Sequence, residues 1–373
     1  MIEVKKRHTH FKPQTNYYNI VRNVLKGIST EKIVALVFIG VDESKDYLSI
    51  LTHLTHAVYQ VIGKEIPITL VPQYVLPQGG ISAEIYLADS ESQVKICKKE
   101  GISLGFIENN DYRMLWTSGI LPSDATASMS LQSNEVFGKL ESVLHSENYK
   151  LSDIVRQWNY IGNITGFRNS KQNYQEFNDI RSKFYAKVIW ENGYPAATGI
   201  GASFEGLVIS CIAFQRNNNR MKSVLPIDNP LQTAAPIYSN EVLISNHLDN
   251  IRCTPKFERA KMIITHKKGC LFLSGTAAIR GEKSMNKLSA KLQAQQTVEN
   301  IQYLLSENNL YTSGCPNIPL KLQQLRVYIK NKEDYAVVWS IMEATYPLMP
   351  VTYTVADVCR DELLVEVEAI LTI

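Results

Sequence analysis

The strongest constraint on the fold comes from residues 363–371, which read LLVEVEAIL. The apolar residue types predict a strand, and the two-residue period of a strand places Leu364, Glu366, Glu368 and Ile370 on one face. A buried carboxylate is costly unless it is paired, hydrogen-bonded or protonated. The segment therefore predicts either a central strand whose glutamates have special partners, or an edge strand whose glutamates face water.

The central-strand alternative has a chemical consequence. A glutamate whose pKa is raised by burial is the type of group that a general acid requires at neutral pH. Cys359 lies seven positions before Glu366. A free cysteine is more often a small buried apolar side chain than a nucleophile, so its role depends on what surrounds it.

Composition excludes several classes of protein. The chain has 373 residues and a net charge of +3, from 39 basic and 36 acidic residues, which does not favour binding to nucleic acid or to a membrane surface. No run of ~18 apolar residues predicts a transmembrane helix, and residues 1–11 lack the apolar core of a signal peptide. The six scattered cysteines, without a CxxC motif, favour reduced thiols in a cytoplasmic protein. His8 and His10 have the spacing of metal ligands but lie in a polar terminal segment of the sequence without further candidate ligands, so no metal site is expected.

Hydrophobic periodicity predicts alternating strands and helices. The predicted strands are residues 33–41, 68–75, 83–87, 196–203, 207–214, 270–279, 325–330 and 363–371, and the predicted helices are 46–62, 134–145, 174–189, 291–305 and 336–346. A boundary near residues 148–153 divides the chain into two domains, residues 1–150 and residues 151–373. The order predicts an α+β fold in which helices pack on one face of each sheet.

Three further features are candidates for a site. Gln293, Thr297 and Asn300 share one face of the predicted helix 291–305, which either flanks a polar cleft or faces solvent. Arg181 interrupts an aromatic stripe, where its guanidinium either binds a carboxylate or extends to solvent. Gly275 lies within a run of small residues, and a glycine inside a strand commonly marks the close approach of a backbone or ligand.

Six segments, taken in order, resemble the chorismatase family, the FkbO-like chorismate-cleaving enzymes. They are RQWNY at 156–160, YQEFN at 174–178, PAATGIG at 195–201, FLSGTA at 272–277, the helix positions Gln293, Thr297, Asn300 and Ile301, and CRDELLVEVE at 359–368. The resemblance covers residues 150–373 and is loose before them.

The resemblance implies a fold related to the small trimeric YjgF-like, chorismate mutase-like proteins, with two such domains and the active site in the second. It implies cleavage of the enolpyruvyl ether of chorismate, with release of pyruvate and without a metal or organic cofactor. The family's catalytic glutamate corresponds to Glu366. The expected partner is the substrate alone, without nucleic acid or membrane, in a monomer or a homotrimer.

Chorismate carries two carboxylates, which call for arginines and other hydrogen-bond donors. The first candidate is Arg181, followed by Arg252, Arg259 and Arg326. Motif position adds as substrate-binding candidates Tyr194, Thr198, Gly275, Thr276, Gln293 and Thr297.

Two residues resemble the branch of the family that forms an aromatic product. Gly275 and Cys359 match that branch, whereas alanine at both positions is expected of enzymes that release a dihydroxycyclohexadiene carboxylate. The resemblance therefore favours 3-hydroxybenzoate and allows some 4-hydroxybenzoate, with Cys359 assisting ring opening or dehydration. The alternatives are the diene product or a non-catalytic ligand-binding protein of the same fold. An imine deaminase of the YjgF type is disfavoured, because residues 350–354 lack its arginine.

Overall fold

Strands and helices alternate along the chain, as the hydrophobic pattern predicts. The computed structural model describes residues 2–9, 16–41, 46–168, 170–217, 223–243, 253–265 and 268–373. The helices in these ranges are α1 Tyr17–Val24, α2 Tyr47–Ile62, α3 Met129–Ser146, α4 Asn173–Tyr185, α5 Ala290–Leu304, α6 Glu307–Thr312 and α7 Tyr335–Thr345. None of them is both long and apolar enough to cross a membrane.

The strands of the described ranges fall on either side of helix α3. Before it lie β1 Ile2–Thr9, β2 Ile33–Ile39, β3 Ile68–Val71, β4 Tyr74–Val75, β5 Ile81–Ala88, β6 Gln93–Lys99, β7 Ile102–Glu108 and β8 Tyr112–Thr117. After it lie β9 Ile154–Gly162, β10 Phe167–Arg168, β11 Lys171–Gln172, β12 Ala196–Ala202, β13 Leu207–Arg216, β14 Val224–Ile227, β15 Ala260–Ile264, β16 Gly269–Ala277, β17 Ile279–Arg280, β18 Lys283–Ser284, β19 Lys321–Ile329, β20 Val351–Val355 and β21 Val365–Thr372.

Most of these strands form three mixed sheets. The N-terminal sheet has the order β1-β5-β2-β3, the middle sheet β12-β9-β13-β8-β7-β6, and the C-terminal sheet β14-β15-β16-β21-β19-β20-β4. Each sheet contains one parallel pair, β2–β3, β9–β12 or β19–β20, and the remaining pairs are antiparallel. The two strands of each parallel pair are joined through a helix, as a parallel crossover requires.

Each sheet is covered by two helices on one face. Helices α1 and α2 pack on the N-terminal sheet, α3 and α4 on the middle sheet, and α5 and α7 on the C-terminal sheet. The opposite faces meet in a shared core that includes Val34, Trp116 and Phe272. The predicted α+β class is confirmed, and the helix-covered sheets number three among the described residues.

The middle sheet bears on the predicted division at residue 150. Strands β6, β7 and β8 precede that residue, and β9, β12 and β13 follow it, yet all six are hydrogen-bonded in one sheet. The division into two domains, residues 1–150 and 151–373, stays a prediction. A boundary at residue 150 would divide the middle sheet between the two domains.

Local chemistry explains where the elements begin and end. Helix α2 starts after Asp46, whose carboxylate accepts a hydrogen bond from the backbone N–H of Ser49, and ends at Gly63 with a left-handed φ of 78°. The predicted strand 68–75 is two strands in different sheets, because Pro72 lacks an N–H. Helix α3 begins at Met129, earlier than predicted, because the Ser128 hydroxyl caps it.

Strand β21 lies in the middle of its sheet, hydrogen-bonded to β16 on one side and to β19 on the other. This confirms the central-strand alternative. Glu366 and Glu368 point into the shared core, whereas Val365 and Val367 face α5 and α7. Leu364 precedes the strand and packs with that second group, so the expectation that it shares the glutamate face is wrong.

Candidate active site

A cavity opens beside the start of β21. Its wall contains three charged side chains, Glu366, Arg259 and Arg360. The other lining residues are Gln172, Tyr174, Gln175, Asn178, Tyr238, Val242, Leu243, Pro255, Phe257, Gly275, Ala277, Ile279, Cys359 and Leu363.

Glu366 is the carboxylic acid of the cavity. Its side chain is almost fully buried, with 4% exposure, and no residue in the described ranges donates a hydrogen bond to it. Burial, followed by the negative charge of Glu368, raises the pKa of Glu366 to about 8. The opposing effects of Arg156 and Arg259 are smaller. Glu366 is therefore largely protonated at neutral pH and is able to donate a proton.

Glu368, two residues further along the same face, has the opposite environment. Its carboxylate accepts hydrogen bonds from Arg156 Nη2 at 2.6 Å, Trp158 Nε1 at 2.9 Å and Arg326 Nη1 at 3.0 Å, and from the hydroxyl of Thr198. Burial opposes ionisation, but the two arginines and these hydrogen bonds hold the pKa of Glu368 below its ordinary value. Neighbouring carboxyl groups with pKa values moved apart are typical of acid–base sites.

Two arginines supply positive charge to the cavity. Arg259 Nη2 donates to the backbone oxygen of Thr233 and to the Tyr238 hydroxyl, at 2.7 and 2.6 Å. Its Nε is buried without a partner among the described residues. Arg360 Nη1 donates to the backbone oxygen of Glu282, at 2.8 Å. The guanidinium carbons lie 5.7 and 5.4 Å from the centre of the same Tyr238 ring, so the site holds two cations near one aromatic side chain.

Cys359 lies in the same wall as Glu366. Burial and the negative charge of Glu366 raise the pKa of the Cys359 thiol to about 12. The group is therefore a neutral thiol at neutral pH, a weak hydrogen-bond and proton donor.

Gly275 provides the space that Glu366 occupies. The ladder between β16 and β21 changes register between Leu273 and Thr276, so the backbone bends beside the acid. A Cβ atom at position 275 would lie 1.9 Å from Glu366 Oε1. The backbone N–H of Gly275 donates to the Thr198 hydroxyl, at 3.0 Å. The glycine predicted the close approach of a backbone or ligand, whereas the group that lies closest to Gly275 in the structure is the Glu366 side chain.

Two predicted binding residues lie close behind the cavity wall. Thr198 is buried, and its hydroxyl joins Arg156, Glu368 and the N–H of Gly275. Thr276 is buried too, and its hydroxyl donates to the backbone oxygen of Ser274, at 3.0 Å. Neither lines the cavity.

Three further predicted binding residues lie away from it. The backbone of Tyr194 is held by Glu258 and Lys261, and its ring stacks on Tyr185. Gln293 donates to the backbone oxygen of Glu362, at 2.8 Å, and accepts from the N–H of Leu364, at 2.7 Å, which holds the segment before β21. Thr297 is fully buried on the same helix face. That face packs inside the protein, so its polar side chains are not a solvent-exposed surface.

The remaining arginine candidates also differ from expectation. Arg181 does not line the cavity; it is buried behind it and bonded to the lining residue Asn178, at 2.5 Å. Arg326 binds Glu84 and Glu368 in the interior, so the expectation that it grips a substrate carboxylate is wrong. Arg252 lies outside the described residues.

Sequence reasoning missed Arg360 as a site residue. The signal was present, because Arg360 directly follows Cys359 in the segment that carries the family resemblance. The aromatic walls, Tyr174, Tyr238 and Phe257, were missed as well, since they come from distant segments that only the fold brings together.

Comparison with known proteins finds similarity to chorismatases. The family model described as the N-terminal part of FkbO/Hyg5-like chorismatases matches residues 88–213. A curated 3-hydroxybenzoate synthase of Streptomyces hygroscopicus is 26% identical over 307 residues, which cover 79% of this chain and 83% of the relative. A chorismatase of the same organism is 27% identical over 257 residues, covering 66% and 67% of the two chains.

A solved structure of a chorismatase has a similar fold. The crystal structure of a chorismatase matches 100% of this chain and 98% of its own, with a TM-score of 0.73 and 19% sequence identity. The family resemblance drawn from the six segments is confirmed by these matches in sequence and in fold.

Proposed function

This chain is a relative of the FkbO/Hyg5-like chorismatases, and on that premise we propose that it cleaves the enolpyruvyl ether of chorismate to pyruvate and 3-hydroxybenzoate. The observation that carries the proposal is the position of Glu366, an uncharged acid at neutral pH in a cavity with two arginines. This pairing suits a dianionic substrate that must be protonated before it breaks.

The first step follows from the chemistry of an enol ether. Glu366 transfers its proton to the methylene carbon of the enolpyruvyl group, which becomes an oxocarbenium ion while Glu366 becomes a carboxylate. Arg259 and Arg360 bind the two carboxylates of the substrate and orient the methylene carbon toward the acid. A protonated carboxylic acid is the required reactant, which is why burial of this group is functional.

The second step decides the product. Water adds to the oxocarbenium ion and its released proton returns to the Glu366 carboxylate. The resulting hemiketal then breaks down to pyruvate and the dihydroxycyclohexadiene carboxylate. Formation of the hydroxybenzoate eliminates one water from the ring portion, so that path consumes no water overall. We propose that the neutral thiol of Cys359 donates a proton to the departing oxygen in this elimination and recovers it as the ring becomes aromatic. Gly275 leaves room for Glu366 beside the reacting ring.

In this proposal the remaining predicted residues do not touch the substrate but hold the residues of the site in place. Thr198 fixes Gly275 and Glu368, Gln293 fixes the segment that leads to Glu366, and Arg181 acts through Asn178. We also propose a cytoplasmic location, which the absence of disulfide bonds among the six cysteines supports.

Product analysis tests the function directly. Purified protein is incubated with chorismate, and the products are separated by chromatography. Pyruvate with 3-hydroxybenzoate supports the proposal. Pyruvate with the non-aromatic diene alone refutes the aromatic product, and unchanged chorismate together with measurable binding refutes catalysis in favour of a binding protein.

Arg259→Gln and Arg360→Gln are each expected to lower kcat/KM for chorismate about 10- to 100-fold, mainly through KM. Each removes one charged hydrogen bond to a substrate carboxylate, worth about 1.5–3 kcal/mol. Steady-state pyruvate release measures the effect. Arg22→Gln, at an exposed position on α1, is the control and leaves both constants unchanged. A KM unaltered in both cavity variants would contradict the assigned binding role.

Cys359→Ala is expected to retain pyruvate release within about threefold while the product changes toward the diene. The thiol acts after ether cleavage, so its loss affects the elimination rather than the first protonation. The ratio of the two ring products, measured by chromatography, reports this. Cys315→Ala is the control for loss of a thiol, because Cys315 is buried and does not line the cavity. An unchanged product ratio in Cys359→Ala would exclude a role for the thiol.

A further inference from the structure

Four charged side chains form a continuous series of ion pairs in the interior. Arg326 Nη2 lies 2.5 Å from Glu84 Oε2, and Arg326 Nη1 lies 3.0 Å from Glu368 Oε1. Arg156 Nη2 lies 2.6 Å from Glu368 Oε2. All four residues are at most 2% exposed. We call Glu84, Arg326, Glu368 and Arg156 the buried charge series.

The series joins all three sheets. Glu84 belongs to β5 of the N-terminal sheet, Arg156 to β9 of the middle sheet, and Arg326 and Glu368 to β19 and β21 of the C-terminal sheet. Two carboxylates and two guanidinium groups give the series a net charge of zero. A glutamate in the first half of the chain is thereby connected to the strand that carries the candidate acid.

Stability alone is a weak explanation for this arrangement. Removing four charges from water costs several kcal/mol per ion, and well-packed apolar replacements of buried ion pairs are often as stable or more stable. Neither does the series bind substrate, because none of its members lines the cavity. Its position suggests another purpose, since Glu368 lies two residues from Glu366 on the same strand face.

The charged and titratable groups around Glu366 come from several elements. Glu368 lies on its own strand, Arg156 on β9, Tyr174 on α4, and Cys359, Arg259 and Arg360 in the cavity wall. Of these, Glu368 is the group that opposes a negative charge on Glu366 most strongly, and Arg156 favours that charge. Arg156 keeps two nitrogens, Nε and Nη1, buried without partners among the described residues.

We infer that the buried charge series sets the proton affinity of Glu366, because Glu368 disfavours the carboxylate form and so keeps the acid protonated before the reaction, while Arg156 limits this effect so that the proton can still leave. The inference rests on the proposed function and extends it to four positioning residues. Glu368, fixed in its charged form by two arginines, disfavours a second negative charge nearby. Arg156, with its two unused donors, is placed to stabilise the carboxylate that protonation of the substrate produces.

The sign of the effect is testable by changing the net charge of the series. In Glu368→Gln the series gains a net charge of +1, so the carboxylate form of Glu366 is favoured. The midpoint of the alkaline decline of kcat/KM is then expected to fall by at least about one pH unit, as unit charges ~7–10 Å apart imply at an effective dielectric constant of about 20. Arg156→Met is expected to move the midpoint upward, and Glu368→Gln/Arg156→Met to return it to the wild-type value.

Glu84→Gln provides a second test at a distance from the cavity. It removes the same charge from the far end of the series and leaves every cavity residue in place, so it is expected to lower the midpoint in the same direction by a smaller amount. Glu141→Gln is the control, because Glu141 forms an exposed ion pair with Lys187, at 2.6 Å, on the surface of α3. If the series has only a structural role, the variants are expected to lose activity, but the midpoint of the alkaline decline will not move down in Glu368→Gln and Glu84→Gln and up in Arg156→Met.

A second readout separates this inference from the proposed function. The titration of the Glu366 carboxyl is followed by infrared difference spectra against Glu366→Gln, with no substrate present. If chorismate is not converted by the wild type, the proposed function fails while this titration still tests the inference. Midpoints that move down in Glu368→Gln and Glu84→Gln and return in the double variant support the inference. Midpoints that stay at the wild-type value, or that move upward, overturn it.

Discussion

Glu366→Gln is expected to lower the rate of pyruvate release from chorismate at least about a thousandfold, within the range that one general acid contributes. The amide is nearly isosteric with the acid but has no proton to give to the methylene carbon. The pH profile of the wild type also tests whether the protonated form of Glu366 is the active one. Burial raises the pKa of Glu366 to about 8, so the rate is expected to be steady at neutral pH and to fall as the pH rises through that value.

Binding and folding controls accompany this variant. Glu366→Gln is expected to bind chorismate with an unchanged or improved Kd, because both arginines remain and no competing carboxylate forms. Glu333→Gln is the control, because Glu333 is exposed in the turn between β19 and α7, and it is expected to leave the rate unchanged. Retention of more than a tenth of the wild-type rate in Glu366→Gln would show that another group protonates the substrate.

Gly275→Ala is expected to change the product and to slow the enzyme. The added methyl would lie 1.9 Å from Glu366 Oε1, far inside van der Waals contact, so the carboxyl must move away from its position beside Gly275. We expect the yield of 3-hydroxybenzoate relative to the diene to fall at least tenfold, and kcat for pyruvate release to fall about 10- to 100-fold. Chromatography of the ring products and a pyruvate assay measure the two effects.

The chain supplies a matched control for this change. Gly138 lies within helix α3, and an added Cβ there has no neighbour within 4 Å. Gly138→Ala is therefore expected to leave the products unchanged and to stabilise the protein by about 0.5–1 kcal/mol. A Gly275→Ala variant with the product ratio and rate of the wild type would show that the contact with Glu366 has no functional consequence.

The sequence predicted the central strand and its acid because both follow from local pattern. Alternating apolar residues identify a strand without any knowledge of its neighbours, and two carboxylates within that pattern require an unusual environment. Which glutamate is the acid could not be derived from the strand alone. Glu368 differs from Glu366 because it is bound by Arg156 and Arg326, which lie 212 and 42 residues from it, and by Trp158 and Thr198.

The walls of the site were harder to predict, because their residues also depend on partners that are distant in the sequence. Arg181 was the first candidate because it interrupts an aromatic stripe, and Arg326 was a further one, yet an arginine in an apolar segment has to be paired inside the protein. Arg326 meets that need with Glu84, and Arg181 with Asn178. The arginines that face the cavity, Arg259 and Arg360, lie in loops, where the periodicity of the sequence carries no information on direction.

The shared inner core has a consequence for laboratory dissection of this protein. A fragment that begins at residue 151 would lack β6, β7 and β8, which are three of the six strands of the middle sheet, as well as Glu84. Its remaining strands would present an apolar edge and face to solvent, and Arg326 would lose one of its two carboxylate partners, so the fragment is expected to aggregate on its own. Supplying the missing half from a second gene in the same cell would cover those surfaces, so the two pieces are expected to fold only as a pair.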